Sequence, residues 1–78
     1  MTVVYQKAYS YLLIHDGADW YLTYFTGGPV EIDICVKLTE DEIKAVSSNQ
    51  KAVEELMARF KADRSLIKDR RIIPSVIA

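Results

Sequence analysis

Val30-Glu31-Ile32-Asp33-Ile34-Cys35-Val36-Lys37-Leu38 alternates apolar and polar side chains over nine positions, directly after the turn-forming Thr26-Gly27-Gly28-Pro29. Such alternation marks a half-buried strand entered from a tight turn. Side chains of a strand point alternately to its two faces. Val30, Ile32, Ile34, Val36 and Leu38 therefore share a core face, and Glu31, Asp33, Cys35 and Lys37 share the other.

Upstream, the chain from Val3 to Ile14 is rich in β-branched and aromatic residues, and Trp20 to Phe25 is again strand-like. His15-Asp16-Gly17-Ala18 between them supplies turn chemistry. Three strands, at about 3–14, 19–26 and 30–38, are expected in meander order. A two-residue Asp16-Gly17 loop would pair Leu13 with Trp20, Tyr11 with Leu22 and Tyr9 with Tyr24. At the second turn, Pro29 has no amide to close a two-residue Gly27-Gly28 loop. A three-residue loop pairing Thr26 with Val30 avoids that defect. It also keeps Trp20, Leu22 and Tyr24 on the face of Ile32, Ile34 and Val36, whereas a slip of one residue would set them beside the charges.

Downstream, Thr39 and Glu42 have the spacing of a capping box, which predicts a helix from about Glu40. Ser47-Ser48-Asn49-Gln50 interrupts the pattern, so residues 40–62 read as two short helices or as one long helix with a weak point. Val53, Leu56, Met57 and Phe60 recur at amphipathic spacing and are expected to cover the sheet. The pattern lapses after Ala62. Residues 70–78 are β-prone around Pro74 and too apolar for a dangling tail, so an extended arm is expected, packed on its own sheet or crossing to a neighbouring subunit. The fold class is therefore α+β: one domain over residues 1–78, with a three-stranded antiparallel meander, one or two helices on one face, and a C-terminal arm.

With 78 residues the chain has room for one domain, which would bury only about 60 to 65% of its unfolded surface. Hydrophobic residues make up 50% and charged residues 27%, a globular balance with no stretch long enough for a membrane span. Met1 to Lys7 has none of the features of a signal peptide, and a single cysteine permits no internal disulfide. A cytoplasmic location is the expectation. The net charge of −1 is unevenly spread, because residues 64–78 carry four cations and one acid. A basic end of this kind can contact phosphate or an acidic partner, or simply form a solvated surface paired with nearby acids.

Three constellations have residues capable of chemistry. Glu31, Asp33 and Cys35, with His15, form the one cluster resembling a metal or acid/base set, yet strand alternation alone produces such a row and a zinc site needs more His and Cys ligands. Cys35 with His15 as base is the simplest nucleophilic arrangement, but the two point to opposite faces. Tyr5, Tyr9, Tyr11, Tyr21, Tyr24 and Trp20 could stack bases while Arg64, Lys68, Arg70 and Arg71 reach phosphates. Most of those rings belong to the core face, and the net charge argues against nucleic acid. No metal, cofactor or catalytic residue is assigned, and no motif is strong enough to name a family.

The second sheet face draws more interest, because Leu12, Ile14, Tyr21, Thr23 and Phe25 lie there beside Glu31 and Asp33. One helical layer cannot cover both faces. Leu12, Ile14, Tyr21, Phe25, Glu31 and Asp33 are accordingly the expected partner-binding residues, unless the C-terminal segment folds back over them. A homodimer or another protein partner is expected, with no membrane association. The first functional expectation is a small non-catalytic interaction module of a bacterial or phage cytosol, such as an inhibitor, immunity-like protein or adaptor. A small-ligand binding protein or minor enzyme with a pocket between sheet and helix is the alternative, and a weak nucleic-acid binder using the basic end is the third.

Overall fold

The computed structural model describes residues 2–7, 10–25, 33–47 and 49–72. They form a five-stranded antiparallel sheet in sequential order: β1 (Thr2–Lys7), β2 (Tyr11–Asp16), β3 (Asp19–Phe25), β4 (Asp33–Lys37) and β5 (Arg71–Ile72). Helices α1 (Glu40–Val46) and α2 (Gln50–Ala62) follow β4, and a 3-10 helix over Arg64–Leu66 leads to β5. The α+β class is as expected, but the single first strand is not. Val3 to Ile14 is divided into β1 and β2, joined by a reversal in which the Ser10 amide donates to the Lys7 carbonyl at 3.0 Å. An unbroken strand of twelve residues would run about 40 Å, longer than the 33 Å largest extent of the molecule. Folding the segment on itself is what lets its apolar residues share one core.

Register explains which residues meet. β2 pairs with β3 through Tyr11–Tyr24, Leu13–Leu22 and His15–Trp20, and β3 pairs with β4 through Leu22–Val36 and Tyr24–Ile34. Both ladders are displaced by two positions from the expected pairings of Leu13 with Trp20 and of Leu22 with Ile34. A displacement by two leaves every side chain on its own face, so Tyr11, Leu13, Leu22, Tyr24, Ile34 and Val36 still line the core together. Tyr9 and the expected Thr26–Val30 closure lie outside the described residues. The first turn contains Gly17 and Ala18, between the paired Asp16 and Asp19, and Gly17 has a φ of 60°. The space a Cβ would fill there is open. Gly17→Ala should therefore cost about 1 kcal/mol through backbone strain alone, with Gly17→Asn closer to the parent. Urea titration compares the two, and equal midpoints for Gly17→Ala and the parent would remove strain from the account.

In β1 the register shifts between Val3 and Tyr5. This bulge turns both Val4 and Tyr5 toward the core, where each is half-buried. The helical layer lies on the same face. Thr39 Oγ1 accepts from the Glu42 amide at 3.3 Å while Glu42 Oε1 accepts from the Thr39 amide at 2.9 Å, the reciprocal capping box expected for α1. Residues 40–62 form two helices, and the second is capped by Asn49, whose side chain accepts from the Lys51 amide at 3.0 Å. Val46 of α1 and Val53, Leu56 and Phe60 of α2 are buried against the sheet, the stripe anticipated from spacing. Gln50 Nε2 donates to the Tyr11 hydroxyl at 2.9 Å and ties the start of α2 to β2.

The end of the chain is held by Arg70. Its guanidinium donates to both carboxylate oxygens of Glu42, at 2.6 and 3.2 Å, and to the carbonyls of Leu66 and Lys37. The Lys37 amide in turn donates to the Arg70 carbonyl at 3.1 Å. Beyond this clasp, β5 lies along β4 with Arg71 opposite Val36 and Ile72 opposite Cys35. The segment expected as an arm thus begins as an edge strand of its own sheet, and residues 73–78 lie outside the described residues.

Candidate functional site

The expected partner-binding residues divide into two groups. Leu12 and Ile14, in β2 between β1 and β3, are 8% and 0% exposed, as closed to solvent as the main core. Tyr21, Phe25 and Asp33 lie nearer the strand ends and are half-buried, and Glu31 lies outside the described residues. Thr23 and Cys35, paired in register with each other, are buried on this same face.

A different site is built by the segment that follows α2. Asp63 ends α2 and caps the 3-10 helix, accepting from the Ser65 amide at 3.0 Å and from the Ser65 hydroxyl. Ile67 is driven into the core at 5% exposure, and the Arg70 amide donates to its carbonyl at 3.0 Å, closing a turn that delivers the chain to β4. Folded in this way, the segment brings Arg64, Lys68 and Arg71 around an open groove of about 390 Å³, with Ile34, Ser65 and Ile67 completing its lining. An adjoining hollow of about 140 Å³ shares Ile34 and Arg64 and adds Tyr24, Phe60 and Lys61. Among the described residues no carboxylate lines either space.

Three of the other cations have acids beside them, Lys7 with Glu54 at 3.7 Å, Lys37 with Asp19 at 3.3 Å, and Arg70 with Glu42, whereas Lys44, Lys51, Arg59 and Lys61 form no ion pair among the described residues. Arg64, Lys68 and Arg71 form no ion pair among the described residues. The buried Tyr24 phenol reports their field. Burial pushes its pKa up, the charges of Arg64 and Arg71 pull it down, and burial prevails. The hydroxyl therefore stays protonated at neutral pH, able to donate toward an anion. Lys61 Nζ lies 6.0 Å from the centre of the same ring.

The charge excess of residues 64–78 was legible, but its division of labour was not. Arg70, grouped with the phosphate-reaching cations on sequence, is taken up by Glu42, a partner 28 positions away that no local pattern signals. Nothing in the sequence sets Lys61 apart, because it stands on the last turn of α2, where a cation ordinarily serves the helix end. Among the aromatic residues, Tyr11 and Tyr24 are each 1% exposed and offer no platform for stacking bases.

Cys35 is fully buried, and the register sets it on the face opposite His15, which stacks on Trp20 with ring centres 5.0 Å apart. Among the described residues no three His, Cys, Asp or Glu side chains come together as metal ligands would. The groove itself presents cations and hydrogen-bond donors, a donor set that attracts anions and repels metal ions. No helix among the described residues is long and apolar enough to cross a membrane. No protein-family model matches the chain, and neither a curated protein nor a solved structure shows significant similarity to it.

Proposed function

We propose that this protein is a non-catalytic binding module whose ligand presents negative charge to the groove of Arg64, Lys68 and Arg71. One observation carries the reading: three cations face a common space of about 390 Å³ in which no carboxylate stands among the described lining residues. Like charges gathered without compensation repel one another, and a bound anion relieves that repulsion. Clefts of some hundreds of cubic ångströms with an apolar floor and a few convergent polar groups are the usual form of a ligand site. The floor here is Ile34 and Ile67. A non-catalytic role is favoured because the described lining residues provide donors and positive charge.

The test is a titration of backbone-amide NMR shifts with oligo-glutamate, citrate and inorganic phosphate at constant ionic strength. Amides of Arg64, Ser65, Lys68 and Arg71 should move with at least one of these anions, and added salt should weaken the effect. Shifts confined to Tyr21, Phe25 and Asp33, or no shifts at all, would overturn the assignment, the former by returning the site to the sheet face.

A further inference from the structure

We infer that the anion the groove is built for is a phosphomonoester borne on an apolar or aromatic group of small-molecule size. This rests on the reading of the groove as an anion site and goes further by naming the ligand's chemistry.

Two features select phosphate over carboxylate. Arg64 and Arg71 bring planar guanidinium forks to the two sides of the groove formed by the 3-10 helix and the edge strand, with Lys68 between them in the chain. Guanidinium pairs match the several oxygens of a phosphate, while an ammonium supplies a movable point charge. A phosphomonoester also carries between about 1.5 and 2 negative charges at neutral pH, against one for a carboxylate. Three cations with no ion pair among the described residues are better balanced by the former.

The rest of the lining identifies the carrier. Ile34 and Ile67 form an apolar floor, flanked by the aliphatic stems of Arg64, Lys68 and Arg71. Inorganic phosphate would leave this surface wet, whereas a ligand with a ring or short aliphatic group would cover it and gain from the burial. The groove of about 390 Å³ matches a small organic phosphate and falls near the lower end of the range of about 300 to 1,000 Å³ usual for such sites.

Calorimetric titration with phenyl phosphate, benzoate and inorganic phosphate separates the contributions. Phenyl phosphate should bind about tenfold more tightly than benzoate, the difference expected from additional charge-assisted hydrogen bonds. It should also bind more tightly than inorganic phosphate. The double variant R64Q/R71Q should lose about tenfold or more of that affinity, with a circular-dichroism melt like the parent's, since both side chains are exposed. Lys51, an exposed cation on α2 outside the groove, provides a control: K51Q should bind as the parent does. Equal affinity for benzoate and phenyl phosphate would refute the phosphate assignment and leave the anion site standing. No binding of any of the three, together with no NMR shift on oligo-glutamate or citrate, would end both. Tighter binding of inorganic phosphate than of phenyl phosphate would keep the phosphate and remove its apolar carrier, as would parent-like affinity in R64Q/R71Q remove the groove.

Discussion

Phe60→Ala is expected to lower the free energy of unfolding by about 3 to 5 kcal/mol, the range for deleting a fully buried aromatic side chain. Phe60 is 1% exposed and occupies the last buried position of the α2 stripe. Its ring stacks against Tyr24 of the sheet with centres 6.3 Å apart, and the Arg70 guanidinium lies over it at 5.6 Å. The side chain therefore joins three parts of the fold: the helical layer, the central strands and the clasp that returns the chain to β4. Small domains are stable by about 5 to 15 kcal/mol at most, and 78 residues belong near the lower end. Phe60→Ala should consequently be largely unfolded at moderate urea or temperature, while Phe60→Leu, which keeps most of the volume, should lose about 1.5 kcal/mol or less. Urea titration followed by Trp20 fluorescence measures both. A Phe60→Ala midpoint close to the parent's would contradict the packing role given to this ring.

Arg70→Ala should be the next most damaging change, at about 2 to 3 kcal/mol, somewhat under the figure for breaking a fully buried pair. Its side chain retains 26% exposure and that of Glu42 17%, so water still screens part of the attraction. Arg70→Lys should recover little, because an ammonium cannot span both carboxylate oxygens and the Leu66 and Lys37 carbonyls at once. Since Arg70 also lies over Phe60, the two truncations should be non-additive by about 0.5 kcal/mol or more.

The same pair makes stability depend on pH in a defined direction. Burial pushes the Glu42 carboxyl up, but the hydrogen bonds from Arg70 and Thr39, with the Arg70 charge, outweigh it and leave the pKa below the ordinary value of 4.5. A carboxyl depressed on folding stabilises the native state fully above its unfolded pKa. That contribution is lost as pH falls through the lower folded value. Between neutral pH and about pH 3 the parent should therefore lose stability more steeply than Glu42→Gln, which has no proton to take up. Parallel slopes for the two proteins would place the acid sensitivity on other carboxylates.

The legibility of this fold follows from the range of each interaction. The capping box of Thr39 and Glu42 spans three residues, and the stripe of Val53, Leu56 and Phe60 spans two helical turns, so both are present in the sequence before any tertiary contact exists. The division of the strands into two faces is equally local. It depends only on the alternation of residues, and it survived a displacement of two positions in both ladders because strand side chains repeat every two residues. Choosing among registers of the same parity requires the closing turn and the packing of distant elements, which alternation does not encode. The reversal between Lys7 and Tyr11 is of this kind: no glycine, proline, asparagine or aspartate marks it, and the compactness of the whole sheet demands it.

The candidate site shows the same divide. The sequence by itself determined that positive charge gathers after Asp63, that β4 has one apolar face, and that Phe60 and Ile34 belong to the core. Only the tertiary structure decided that Arg70 would bind Glu42, that Leu12 and Ile14 would be closed to solvent, and that Arg64, Lys68 and Arg71 would face one groove. The physical reason is that side-chain periodicity is a property of the local backbone, whereas the pairing of charges depends on which distant segments the burial of apolar surface brings together.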